Sequence, residues 1–136
     1  MRTRLPVAAL LAGALGACSA TQSPDDAAVC AAYAAHRSGV EVVAGGTVSR
    51  NLGVRAGRSS PHEGFLLRLD SDCKLLVRVE ANTDFTGTIA LSPGERVAVK
   101  GEYEYYPLGG VIHWTHRDPR GRHENGYISA GGAMYY

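Results

Sequence analysis

Four side chains near the C-terminus, His113, His116, Asp118 and His123, have the donor chemistry of a divalent-metal site, with His62 as a further imidazole the fold could deliver. Neutral imidazole and carboxylate suit zinc and similar ions, and three protein ligands would keep one coordination position for water or substrate. Spacing constrains the idea. In an extended strand His113 and His116 point to opposite faces, so both reach one ion only where the strand ends or bulges near Thr115. Asp118-Pro119 supplies such an ending, because the residue before a proline avoids helix and the pair favours a turn. The competing reading is a set of histidines that hydrogen-bond loop backbone and orient the C-terminal segment.

Arginines form a second set. Arg50, Arg55 and Arg58 occupy or border the connection after the first predicted strand, and Arg117, Arg120 and Arg122 the loop after the fifth. Guanidinium groups there could grip phosphate or carboxylate bidentately, with Trp114 and neighbouring tyrosines available for stacking. The expected ligand-binding set is therefore His62, Arg55, Arg58, Trp114, Arg117 and Arg122. The plainer alternative is arginines that are merely solvated, or that rest against anionic lipid headgroups. Glu102 and Glu104 share the outward face of a predicted strand and read as a solvated edge rather than a carboxylate pair. Ser59-Ser60 lacks a nucleophile-elbow setting, and the glycine pairs at 45–46, 109–110 and 131–132 stand at strand positions or ends rather than before a helix, so no phosphate loop is present.

The elements that must carry these groups are mostly strands. Val40–Arg50, Gly64–Asp70, Lys74–Glu80, Arg96–Tyr106 and Gly110–Thr115 are five runs of strand composition separated by turn-forming residues. In the fourth, Val97, Val99, Gly101, Tyr103 and Tyr105 oppose Ala98, Lys100, Glu102 and Glu104, a period of two. Ahead of them, Ser23-Pro24-Asp25-Asp26 reads as a helix start with a capping oxygen, proline at the first helical position and carboxylates at the positive end of the dipole, and Gly39 as the stop. The expected fold is mainly β, a five-stranded OB-like Greek-key barrel with one short N-terminal helix; an SH3-like barrel or a small sandwich fits the same strands.

Three resemblances follow from particular residues. Gly101-Glu102-Tyr103-Glu104, Gly109 to His116, Asp118-Pro119 and Gly121-Arg122-His123 resemble an uncharacterised family of small bacterial envelope proteins, a domain of unknown function marked by a GEYE, GGVIHWTH, DP, GRH series, over about residues 40–136. That likeness implies no activity. Asp118-x-x-Gly121-Arg122 resembles the short hairpin motif of staphylococcal-type nucleases, which implies a metal-assisted phosphodiester hydrolase as the alternative function. Leu15-Gly16-Ala17-Cys18, after the basic Met1–Arg4 and the apolar 5–16, resembles a bacterial lipobox. It implies a signal peptide over 1–17, thioether lipidation of Cys18, a tether over 18–23 and one domain over 24–136; cleavage near Ala20 by an ordinary signal peptidase is the other reading.

Composition agrees with one exported domain. The chain has 136 residues, is 45% hydrophobic and 20% charged, and carries a formal net charge of +1, so no overall field attracts nucleic acid and no stable nucleic-acid partner is expected. In an oxidising compartment Cys30 and Cys73 are expected to form a disulfide, two buried thiols being the alternative. Ser19 rather than Asp after Cys18 points to the periplasmic face of an outer membrane. The whole reads as a lipid-anchored cell-envelope binding or structural module, its ligand an anion or a metal ion such as zinc, rather than an enzyme.

Overall fold

The computed structural model describes residues 22–136. Cys18, the expected site of lipidation, and the 1–17 leader lie outside the described residues. The elements run α1 (Asp26–Ala34), β1 (Val40–Ala56), β2 (Pro61–Leu69), β3 (Leu76–Asn82), α2 (Thr83–Thr86), β4 (Arg96–Glu104), β5 (Val111–His113), β6 (Tyr127–Ala130) and β7 (Ala133–Tyr135).

Strands β1, β2, β3, β5 and β4 pair in that order, and β4 returns to pair with β1, closing a ring. All these pairings are antiparallel except β3 with β5. This is the OB-like barrel the alternation predicts. Closure works because β1 is 17 residues long and serves two partners, β4 along Val40–Thr47 and β2 along Gly46–Ala56. At the changeover a Cβ on Gly46 would lie 2.1 Å from the Arg68 carbonyl oxygen, so only glycine lets the strands approach this closely. Two register shifts farther along β1 add the local bend that a small barrel needs.

Inward residues follow the period of two. Val42, Ala44 and Val48 of β1, Phe65, Leu67 and Leu69 of β2, Val77 and Val79 of β3, Val97, Val99 and Tyr103 of β4, and Ile112 of β5 are all buried. Tyr103 ends in a hydrogen bond to the Gly109 carbonyl at 3.1 Å, and burial pushes its phenol up to about 12. Beyond the ring, β6 pairs with β4 and β7 with β6, a hairpin that the five-strand reading does not include; Gly131 and Gly132, both at positive φ, make its turn.

The helix begins later than Ser23-Pro24 suggests. Asp25 is the cap, its side chain accepting from Ala28 N–H, because the Asp25 N–H is already committed to the Val43 carbonyl of β1. Asp26 fastens the helix to the barrel: one carboxylate oxygen accepts from Gly45 N–H at 2.7 Å, the other from Asp70 N–H at 3.0 Å. The Cys30–Cys73 disulfide joins the same helix to the β2–β3 turn, with Cα atoms 6.3 Å apart. The left-handed residue that ends the helix is His36 rather than Gly39 alone; its ring stacks on Tyr105 at 4.2 Å.

Candidate functional site

The outward faces of the strands bring together residues far apart in sequence. Glu41 pairs with Glu102 across β1–β4, and Glu102 with His113 across β4–β5, so these three form a row across the sheet. Glu104 stands two residues along β4, on the same face. Around this row the donor atoms of Glu102, Glu104 and His113 all lie within 4.8 Å of one another. His113 Nε2 is 3.6 Å from Glu102 Oε1 and 3.7 Å from Glu104 Oε1; it is buried and has no hydrogen-bond partner among the described residues.

The two carboxylates differ in proton affinity. Burial, helped by a hydrogen bond with Glu104, raises the pKa of Glu102 against the opposing pull of His113. Burial pushes Glu104 upward too, but the Ser38 hydroxyl, the hydrogen bond with Glu102 and the imidazole outweigh it and hold Glu104 below its usual value. Glu102 is thus the more basic of the two, and a divalent cation bound between them would favour both in the charged form.

The four residues expected to bind metal are not one ligand set. His113 belongs to the cluster just described. His116 stacks face to face on Phe85 at 4.2 Å and meets His123 edge-on at 5.0 Å, while His123 stacks on Trp114 at 4.5 Å. The imidazoles thus converge through their rings. Their Nδ1 atoms bond loop carbonyls, His116 to Arg117 and His123 to Glu124, as the backbone-bonding alternative expects. Burial lowers the pKa of His116. Asp118 accepts backbone N–H bonds from Arg120, Arg122 and His123, which folds the loop. Burial works to raise its pKa, yet those three donors prevail and hold it low.

The strand stops two residues before the expected Thr115: β5 ends at His113, and Trp114 takes a left-handed backbone, φ 55°. An aromatic residue held there is strained, and its indole stacks on His123 at 4.5 Å. Thr115, fully buried, locks the turn by donating to the Glu80 carbonyl at 2.9 Å.

A groove crosses the outer face beside the cluster. A section of about 420 Å³ is lined by Arg55, His62, Glu80, Glu104, Tyr106 and His113 among others. It adjoins a second of about 490 Å³ floored by Leu52, Leu66, Arg78 and Val111, and a third of about 120 Å³ reaching Ser59, Trp114 and His116. Of the expected ligand-binding residues, His62, Arg55 and Trp114 line it. Arg117 lies over the Tyr136 ring at 3.7 Å, Arg122 sits 3.7 Å from Asp118, and Arg58 is exposed in the β1–β2 connection. Glu80, whose pKa burial raises against the pull of Arg55 and His62, is the carboxylate at the groove's centre.

The carboxylates at 102 and 104 are what sequence reasoning passed over. Their signal was present in the GEYE run, two acids on one strand face, but it gains meaning only once β5 lies alongside β4 and brings His113.

Residues 11–136 match the model of a family described as protein of unknown function (DUF3465). The chain belongs to the DUF3465 family. No curated protein and no solved structure matches it. For DUF3465, then, the geometry of this outer face carries the functional argument.

Proposed function

We propose that this DUF3465 protein is a cell-envelope binding module, held by lipid on Cys18 at the periplasmic face of the outer membrane, whose outer groove is completed by a divalent ion on Glu102, Glu104 and His113. The observation that carries the reading is His113 Nε2: a buried imidazole nitrogen without a partner, facing two carboxylate oxygens at 3.6 and 3.7 Å. Buried polar atoms are normally satisfied, and a cation would satisfy all three groups at once. Two carboxylates and one imidazole suit zinc, and a fourth position would open toward the groove that Glu104 and His113 also line. The nuclease-like alternative gains nothing from Asp118 and Arg122, which hold one loop together instead.

Purified full-length protein stripped with EDTA should take up one equivalent of zinc. Its melting temperature should rise with zinc concentration, because an ion that binds only the folded chain at one hundred times its Kd adds about 2.7 kcal/mol. Glu104→Gln and His113→Gln should each abolish the rise. Absence of stoichiometric zinc, manganese or calcium, together with an unmoved melting curve, would remove the metal from this reading. The anchor is tested separately: Cys18→Ser should leave the mass of the exported chain without acyl groups and release it from the membrane fraction.

A further inference from the structure

A different part of the same groove is built for an anion. Arg78 points outward from β3 into the section floored by Leu52, Leu66 and Val111. Its Nε and Nη2 atoms, the edge of the guanidinium that grips a carboxylate with two parallel bonds, are both buried and have no hydrogen-bond partner among the described residues. Arg78 Nε is in ion-pair contact with Glu80 Oε1, and Arg55 Nη2 donates to the same oxygen at 2.7 Å. Two guanidiniums thus share one carboxylate, and the surplus positive charge lies among apolar side chains. At the rim Leu108 is 94% exposed, an apolar side chain with nothing of its own to cover.

We infer that Arg78, backed by Arg55, is a carboxylate subsite, and that its ligand is a small amphiphilic acid whose apolar body lies along Leu52, Leu66 and Val111 and under Leu108. Charge selects the occupant: a neutral apolar molecule would leave Nη2 buried without a partner, whereas a carboxylate satisfies it and balances the second guanidinium that Glu80 alone does not neutralise. The section's volume of about 490 Å³ accommodates a chain of several carbons. The inference rests on the reading of this face as a binding groove, and it does not require the ion.

The test is calorimetric titration of EDTA-treated full-length protein with octanoate, octanol and octyl phosphate. Octanoate should bind saturably, octanol on the order of tenfold more weakly or worse, because a charge-assisted pair is lost. Arg78→Gln should weaken octanoate by a similar factor and leave octanol unchanged. Leu108→Ser, at a position too exposed to affect folding, should weaken both. Octyl phosphate binding as tightly as octanoate would overturn the choice of carboxylate, and equal binding of octanoate and octanol, or no saturable binding, would overturn the subsite. Octanoate binding without zinc binding would sink the metal reading and leave this one standing; the reverse result would do the opposite.

Discussion

Asp26 and Glu63 are buried carboxylates, as are Glu102 and Glu104 in part, yet the two pairs live in opposite surroundings. Asp26 accepts backbone N–H bonds from Gly45 of β1 and from Asp70 in the β2–β3 turn. Glu63, 2% exposed, accepts from Ile89 N–H at 2.6 Å, Ala90 N–H at 2.8 Å and the Asn51 amide at 3.2 Å. Each donor is a fixed part of the chain, so these acids act as crosslinks between segments. Glu102 and Glu104 instead face each other and an imidazole nitrogen that has no partner. Crosslinking acids have their acceptor capacity filled by the fold; the β4 pair keeps capacity for something that is not protein.

Breaking the comparison starts with Glu63. Glu63→Leu strands the Ile89 and Ala90 N–H groups in the connection from α2 to β4 and leaves the Asn51 amide of β1 only its bond to the Leu91 carbonyl, and should cost about 3 kcal/mol or more, read from denaturant unfolding. Asp118 belongs with the crosslinks by its three backbone donors, and its effect is pH-dependent. Its folded pKa lies below the usual 3.8, so its contribution is complete above that value and is lost as pH falls through it toward the lower folded value. Asp118→Ala should therefore lower stability near neutral pH and flatten the acid limb of the stability curve below pH 3.8, which a series of melts would register. The smallest effect belongs to the β4 pair. Glu104→Gln should change the stability of the zinc-free protein by no more than about 0.5 kcal/mol, while removing the rise that zinc produces. A large loss without metal would place Glu104 among the crosslinks and dissolve the contrast.

Much of the architecture is legible in the sequence because it rests on local pattern. The alternation of Val97, Val99 and Tyr103 against Lys100, Glu102 and Glu104 declares a two-faced strand, and Gly45-Gly46 marks where β1 can change partners. The β5 stop before Asp118-Pro119 is local too. What escapes is lateral order. Nothing within β4 says that β5 will lie beside it, so the pairing of Glu102 with His113 becomes visible only in the closed ring. Four polar residues between 113 and 123 read as one ligand set because they are close in sequence; only His113 joins the carboxylates, while His116 and His123 stack on the flat apolar faces of Phe85 and Trp114 and Asp118 binds loop backbone. The arginines divide along the same line. Arg55 is fixed by Glu80 from another strand, whereas Arg117 finds a tyrosine at the chain end, contacts that no spacing rule encodes.

The bridge between α1 and the β2–β3 turn sets an order of events. Cys30 joins a residue 43 positions later, so a chain emerging from synthesis exposes its first thiol well before the second exists to meet it. The helix can be clamped only after β1 and β2 have both arrived. Docking of α1 through sulfur is therefore a finishing step, and a copy whose thiols stay reduced would hold its helix through Asp26, the Asp25 bond to Val43 and the buried Val29 and Ala32.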